Sequence, residues 1–201
     1  MKAVFAAVLS GGLLSAAAAM AAPTIGAPAP AFAGARTASG EVISLAQFKG
    51  RPVVLEWTNH DCPFVKKHYE TGNMQKTQSA AKADGAVWIS VISSAPGKQG
   101  HVTPVQAAEL TKSRKASPDY VVLDESGEIG RAFGAKTTPD MFLVDKDGAL
   151  RYAGAIDDKP TPNHASVDGA KNFLIAALGD VKSGKEVAVS QTKPYGCAVK
   201  Y

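Results

Sequence analysis

Cys62 lies where an apolar, strand-like run ends and a helix is expected to begin, in the sequence VVLEWTNHDCPFVKKHYE. Pro63 supports this placement, because proline fits the first helical position, where its missing N–H would have had no hydrogen-bond partner. The unpaired N–H groups and the dipole of a helix N-terminus stabilise a thiolate, which is the nucleophilic form of cysteine. The sequence therefore predicts a reactive thiol at Cys62. An inert buried thiol is the alternative, because free cysteines are commonly buried.

The second cysteine of the chain is Cys197, in the C-terminal sequence TKPYGCAVKY. In an oxidising compartment two cysteines can form a disulfide. Small or flexible residues on one side of Cys197 suit a mobile arm that resolves an intermediate on Cys62. A purely structural disulfide, which would pin the tail to the body, is the alternative.

The strand predicted over VVLEW opens a series in which strands and helices alternate. Further strands are expected over AVWISVIS, YVVLD, MFLVD and LRYAGAI, and helices over residues 63–82, 104–113, 129–133 and 167–178. Such alternation predicts an α/β fold with parallel strands covered by helices. Residues 38–41 are expected to form a turn between two short strands, and Asp147-Gly148 favours a hairpin between the last two strands.

Three segments are predicted along the chain. Residues 1–21 have the features of a secretory signal peptide, with one lysine, an apolar run and a small-residue cleavage site at Ala19-Met20-Ala21. A membrane anchor is the alternative, but the run falls short of the ~20 strongly apolar residues that a spanning helix needs. Residues 22–180 are expected to form one domain and residues 181–201 a tail that carries Cys197. The mature protein is expected to be soluble and secreted or periplasmic.

The charge of the chain argues against some classes of partner. The formal net charge is only +4, and no basic tract is longer than Lys66-Lys67. A nucleic-acid partner is therefore not expected, and the mild basic balance of the chain is interpreted as solvated charge. A membrane partner and a bound cofactor are not expected either.

From the order of the elements, the chain resembles the thioredoxin fold. Over about residues 25–178 it resembles the redoxin superfamily, and in particular secreted peroxiredoxin-like proteins of the alkyl hydroperoxide reductase/thiol-specific antioxidant type. The match is closest in VVLEWTNHDCPF and IGRAFGAKTTPDMFLVDKDGALRYAG. The resemblance implies a thioredoxin fold with N-terminal strands, a central insertion and a C-terminal tail.

The resemblance also implies roles for individual residues. Cys62 takes the position of the attacking cysteine, and Thr138-Pro139 that of the active-site cis-proline and the residue before it. Val65 replaces the second cysteine of the family's C-x-x-C motif, which leaves Cys197 as the candidate resolving thiol. In thioredoxins the position of Glu56, six residues before Cys62, holds a buried acid that handles protons, so we expect a general acid or base there. A solvent-facing edge position is the alternative for this residue.

Four further residues, Trp57, Asn59, His60 and Phe64, are predicted to line the substrate pocket; for Trp57 and Phe64 the alternative is a place in the core or at its rim. The site departs from that of true peroxiredoxins, which carry proline and threonine seven and three residues before the cysteine, where this chain has Leu55 and Asn59. The later arginine of peroxiredoxins aligns with Pro139. Asn59 is expected to replace part of the missing hydrogen-bonding capacity, and His60 to tune the thiolate.

Together these features predict a thiol-dependent oxidoreductase in which Cys62 attacks a peroxide or a disulfide and an unidentified reductant restores the thiols. Two alternatives remain. His60, Cys62 and His68 could hold copper in a metal carrier, although His68 lies more than a helical turn from the cysteine. The domain could also be a non-catalytic binding module with a structural disulfide.

Overall fold

The computed structural model describes residues 23–201, so the predicted signal peptide lies outside the described residues. In chain order the elements are β1 (Ala35–Arg36), β2 (Val42–Ile43), β3 (Val53–Trp57), α1 (Pro63–Glu70), α2 (Asn73–Ala83), β4 (Val87–Ile92), α3 (Pro104–Ser113), β5 (Tyr120–Leu123), α4 (Glu128–Phe133), β6 (Thr137–Thr138), β7 (Asp140–Val144), β8 (Leu150–Gly154), α5 (Phe173–Lys182) and β9 (Cys197–Ala198).

The centre of the molecule is a five-stranded mixed sheet in the order β5-β4-β3-β7-β8. Strands β3, β4 and β5 are parallel, whereas β7 and β8 are antiparallel to their neighbours. Every residue of β3, β4 and β7 is buried. Burial on both faces explains why these strands are nearly continuous apolar runs. All five strands predicted from the sequence are present.

The two faces of the sheet bury different groups. On β3, side chains alternate, so that Val53, Leu55 and Trp57 pack into one apolar cluster while Val54 packs into the other. Cys62 and the first two helices lie on the Val54 side. The sheet thus separates the aromatic core around Trp57 from the side that carries Cys62.

Two predicted helices differ from those in the structure. The helix expected over 63–82 is two helices, because Gly72 adopts a left-handed conformation with φ 76° and interrupts it. The helix expected over 167–178 begins later, at Phe173, where the Asn172 side chain caps it by accepting from the Ile175 N–H at 3.0 Å. The predicted helix at Pro104–Ser113 is confirmed.

The C-terminal tail packs back onto the domain. Its strand β9 pairs antiparallel with β6, with Cys197 opposite Thr138. Further along, the Tyr201 hydroxyl donates to the Ala135 carbonyl at 2.8 Å. Within residues 23–201, every helix is too short or too polar to span a lipid bilayer.

Candidate active site

Cys62 is the N-cap residue of α1, and Pro63 occupies the first helical position, as predicted. The turn before the helix is fixed by Asn59, whose carbonyl accepts from the Cys62 N–H at 3.1 Å and whose side-chain oxygen accepts from the Asp61 N–H at 2.9 Å. The local sequence therefore folds so that the cysteine sulfur is next to the free N–H groups of the first helical turn. Cys62 has an exposed fraction of 0%.

The Cys62 sulfur is surrounded by hydrogen-bonding groups. Its thiol donates to the Thr138 carbonyl at 3.0 Å. Burial alone would raise the pKa of Cys62, but hydrogen bonds from Cys197, the Val65 N–H and the Thr138 side chain outweigh burial and lower this pKa below its ordinary value. The direction agrees with the thiolate stabilisation expected at a helix start.

Cys197 has the opposite properties. Both cysteines are free thiols in the structure. Burial, together with the nearby Cys62, raises the pKa of Cys197 to about 12. Cys197 thus holds its proton more tightly than Cys62 does, an asymmetry that fits an attacking thiol and a resolving thiol.

The backbone between β6 and β7 forms the wall on which both thiols lie. The Thr138–Pro139 peptide bond is cis, as the resemblance implied. Gly196 packs so closely on this wall that an added Cβ would lie 2.0 Å from the Thr138 carbonyl oxygen. Only glycine fits there, because a side chain would collide with this carbonyl and because the φ of 141° at Gly196 disfavours any residue with a Cβ.

Asp140, which directly follows the cis-proline, was not singled out from the sequence. Its carboxylate accepts from the Lys136 N–H at 3.0 Å. Burial raises the pKa of Asp140 to about 7, although hydrogen bonds from the backbone of Lys136 and Thr137 act in the other direction. A carboxyl group that titrates near neutral pH thus lies one residue beyond the wall that carries both thiols.

Glu56 is buried, as expected, in a set of polar side chains that we call the Glu56 cluster: Glu56, Tyr69, Trp88 and Ser90. Its carboxylate accepts from the Tyr69 hydroxyl at 2.8 and 3.0 Å, from Trp88 Nε1 at 3.0 Å and from Ser90 Oγ at 3.0 Å. All four members belong to β3, α1 and β4. Among the described residues, no hydrogen bond joins this carboxylate to Cys62, so its role in proton transfer stays a prediction.

A second polar set, the Tyr195 cluster, consists of Tyr195, Lys67, His68 and Asp157. The Tyr195 hydroxyl donates to Asp157 Oδ1 and lies 3.3 Å from Lys67 Nζ and 3.1 Å from His68 Nε2. Lys67 is an exception to the solvated charge expected from the sequence, because its exposed fraction is 0%. The cluster was missed because its partners are far apart in sequence.

Two of the predicted pocket residues have other tasks. Trp57 is fully buried on the opposite side of the sheet from Cys62, where it packs against Phe133 and Phe142 and donates to Ser93 Oγ at 3.0 Å. It therefore belongs to the core rather than to a pocket. Asn59 is also buried, and its amide donates to the Gln99 carbonyl at 3.3 Å, so it shapes the turn before the helix.

The other two predicted pocket residues lie closer to the surface. His60 is partly exposed and lies 3.5 Å from the Asp61 carboxylate. Burial lowers the pKa of His60, against the attraction of Asp61. Phe64 packs against the Tyr195 ring with centroids 5.8 Å apart. Phe64 thus contacts the tail near Cys197.

The metal-binding alternative finds no matching geometry. Both ring nitrogens of His68 have partners, because Nδ1 lies 2.7 Å from the Asn73 amide nitrogen and Nε2 faces Tyr195. Residues 23–201 contain no group of three or more histidine, cysteine or acidic side chains that could hold a metal ion.

Comparison with known proteins places the chain in a family. Residues 24–172 match the model of the Redoxin family, and the chain belongs to this family. A hypothetical protein from Sinorhizobium meliloti 1021 is 25% identical, with a TM-score of 0.74 over 90% of this chain and 96% of that one. Among curated protein sequences, none matches.

Two more distant structures share the thioredoxin fold. The thioredoxin domain of a thiol-disulfide oxidoreductase from Bacteroides vulgatus is 22% identical, with a TM-score of 0.51 over 72% of this chain and 96% of that one. The mitochondrial 2-Cys peroxiredoxin of Plasmodium falciparum is 14% identical, with a TM-score of 0.55 over 82% and 99%. The protein thus has a thioredoxin fold of the redoxin type, and its family membership supports a thioredoxin-like redox function.

Proposed function

We propose that the protein is a thiol-dependent oxidoreductase in which Cys62 attacks the substrate and Cys197 resolves the intermediate. The observation that carries the proposal is the pairing of β6 with β9, which brings the tail cysteine to the sulfur at the start of α1. The opposite pKa shifts of the two thiols support the assignment of roles.

With a disulfide as substrate, the Cys62 thiolate attacks one sulfur, forms a mixed disulfide and releases the other sulfur as a thiolate. Cys197 then loses its proton and attacks the Cys62 sulfur. This step forms the Cys62–Cys197 disulfide and releases the second substrate thiolate, which takes up a proton. The substrate gains two electrons, and an external dithiol must return two electrons to the protein.

With a hydroperoxide as substrate, Cys62 attacks the peroxide oxygen, becomes a sulfenic acid and releases an alcohol or water. Attack by Cys197 then expels water and forms the same disulfide. The Thr138 hydroxyl favours this second candidate, because it supplies a hydroxyl group to a site that has none three residues before the cysteine; in the structure it donates to the Cys197 carbonyl at 3.5 Å. Pro139 still stands where peroxiredoxins have their arginine, so disulfides are the first candidate.

The compartment belongs to the same proposal. A cleaved signal peptide over residues 1–21 would deliver the protein to the periplasm or the exterior, where disulfides are formed and kept. There the cysteine pair would act on protein or low-molecular-weight disulfides or on peroxides, with a reductant still to be identified. N-terminal sequencing of protein from the extracytoplasmic fraction tests this, and a mature chain that still begins at Met1 would contradict cleavage.

The cycle is tested with single cysteine variants and intact-mass analysis after stoichiometric hydrogen peroxide and, separately, an oxidised dithiol. The parent should form one intramolecular disulfide, and Cys197→Ser should accumulate a mixed disulfide or sulfenic acid on Cys62. Cys62→Ser should react with neither reagent. If both single variants turn over like the parent, the proposed roles are wrong.

A further inference from the structure

In the closed structure the tail blocks the route to Cys62. The Cys62 side chain has no exposed surface, and the Gly196 backbone lies directly against the Thr138 carbonyl, leaving no space for a substrate atom between them. We call residues 193–201 the cover segment. An electrophile therefore reaches the Cys62 sulfur only after the cover segment moves away.

The cover segment carries two tyrosines that attach it to the domain in different ways. Tyr201 lies against Gly127 and Gly130, where an added Cβ would approach its ring, and its hydroxyl makes one hydrogen bond, to the Ala135 carbonyl. Tyr195 is instead embedded among buried ionisable side chains, two residues before Cys197. The attachment nearer to the reactive thiols is therefore the more polar one.

The hydroxyl of Tyr195 has a complete set of partners. The Asn73 amide donates to His68 Nδ1 at 2.7 Å, so neutral His68 carries its proton on Nε2 and donates it to Tyr195. Lys67 donates to the same oxygen at 3.3 Å and to the Lys159 carbonyl at 2.9 Å. The hydroxyl in turn donates to Asp157. It thus accepts two hydrogen bonds and donates one, which is the full capacity of a hydroxyl group.

Removal of this hydroxyl would leave buried groups without a partner. His68 Nε2 would lose its acceptor, and Asp157 Oδ1 would lose one of its two donors and keep only the Lys159 N–H at 3.0 Å. Buried polar groups are costly when unpaired, but here the cost disappears if the cover segment lifts and water enters. The Tyr195 hydroxyl therefore stabilises the closed position of the cover segment, in addition to the pairing of β9 with β6 and the hydrogen bond from the Ala95 N–H to the Lys200 carbonyl at 2.9 Å.

We propose that Tyr195 is a positioning residue: its hydroxyl latches the cover segment over Cys62 and keeps Cys197 opposite the attacking sulfur until the segment opens. The benefit of such a latch to the protein rests on the proposed thiol chemistry. The latch itself does not, because it concerns only which contact sets the fraction of molecules in which Cys62 is accessible.

The test is the rate at which iodoacetamide labels Cys62 in the reduced full-length protein, followed by peptide mass under single-hit conditions. Tyr195→Phe keeps the ring that packs on Phe64 but removes the hydroxyl, and it should raise the labelling rate about tenfold, since a buried hydrogen bond is lost only in the closed form. Tyr201→Phe is the matched control at the other end of the segment, and it should raise the rate by no more than about threefold.

The pH profile of labelling separates access from reactivity. Tyr195→Phe should raise the rate at every pH without moving the midpoint, because the closed form that dominates the titration keeps its Cys197 hydrogen bond. Equal rates for Tyr195→Phe and the parent, or equal acceleration by Tyr201→Phe, would overturn the proposal. A shifted pH midpoint of labelling in Tyr195→Phe, with no increase in the labelling rate, would also overturn it.

A second variant tests the same latch from its other partner. Lys67→Met removes another partner of the hydroxyl and should accelerate labelling in the same direction; absence of acceleration in both variants counts against the latch. Labelling requires no turnover, so a parent protein that reduces neither disulfides nor peroxides would refute the proposed function while the labelling rates still decide the role of Tyr195.

Discussion

The Glu56 cluster and the Tyr195 cluster both contact α1, the helix that follows Cys62, but they differ in what holds them together. Every member of the Glu56 cluster belongs to the sheet or to α1, whereas the Tyr195 cluster takes its central hydroxyl from the C-terminal tail. The first can be dismantled only by unfolding the domain. The second can be dismantled when the tail lifts.

This difference assigns separate tasks to the two clusters. The Glu56 carboxylate on β3 accepts from donors on two other elements, α1 and β4, and fixes the position of the helix on the sheet, because the Tyr69 hydroxyl would lose its partner if the helix moved. A cluster completed by a tail residue makes burial of Lys67, His68 and Asp157 conditional on the tail. The contacts of α1 in the Glu56 cluster are thus permanent in the folded protein, whereas its contacts in the Tyr195 cluster are reversible.

The largest effect that would sharpen this comparison is on the free energy of unfolding. Glu56→Leu removes the shared acceptor and leaves the Tyr69, Trp88 and Ser90 donors buried without partners, so we expect a loss of about 3 kcal/mol or more. Glu56→Gln keeps one acceptor oxygen and should lose less. Urea unfolding followed by tryptophan fluorescence measures both.

The matched variant in the other cluster is Tyr195→Phe. Its loss should be smaller than that of Glu56→Leu, because opening of the tail lets water reach the unpaired groups. A loss as large as that of Glu56→Leu would show that the Tyr195 cluster is as permanent as the Glu56 cluster, and the contrast between them would fail.

A second prediction uses two buried groups whose pKa values are shifted in opposite directions: Asp140, on strand β7 of the sheet, and His68, in the Tyr195 cluster. Asp140 has a pKa raised to about 7 by burial, from an ordinary 3.8. Between these values the native state holds a proton that the unfolded state has released, so the stabilisation is complete below about 3.8 and is lost as pH rises towards 7.

The pKa of His68, in the Tyr195 cluster, is shifted in the opposite direction. Burial and, to a lesser extent, neighbouring Lys67 lower the pKa of His68 to about 3, from 6.5. Between these values the unfolded state binds the proton, so the stability is complete above about 6.5 and is lost as pH falls. Over pH 4 to 6.5 the two contributions oppose each other in the parent, each with a slope of about 1.4 kcal/mol per pH unit.

Single variants should separate the two slopes. Relative to the parent, Asp140→Asn should become more stable as pH rises from 4 to 6.5, and His68→Gln less stable over the same range. Chemical denaturation at several pH values measures the differences. Parallel curves for parent and variants would show that neither group has the shifted pKa that its burial implies.

The sequence predicted those parts of the molecule that depend on local pattern. The strands are continuous apolar runs because both faces of the sheet are covered, and Cys62 with Pro63 is recognisable because a helix start has its own residue preferences. The cis bond before Pro139 followed from the family resemblance.

The missed features depend on contacts between distant residues. The sequence KKHY is typical of a solvated helix face, and its burial becomes visible only when Tyr195 and Asp157 are brought to it by the tail and by the segment after β8. Likewise, nothing local distinguishes Trp57 in the core from a tryptophan at a pocket. The break at Gly72 is a local event, but an isolated glycine is also tolerated inside helices.

The smallest expected effect concerns the link between the two cysteines. If the tail tunes the thiolate as well as covering it, Cys197→Ala should raise the pKa of Cys62, because a hydrogen bond that favours the charged form is lost while burial and the Val65 N–H remain. Cys197→Ser, which retains a hydroxyl donor, should raise it less. The midpoint of Cys62 alkylation against pH measures both. Equal midpoints in the parent and in Cys197→Ala would mean that the Cys197 thiol does not activate Cys62, and that the backbone groups of Val65 and Cys197 together with Thr138 account for its lowered pKa.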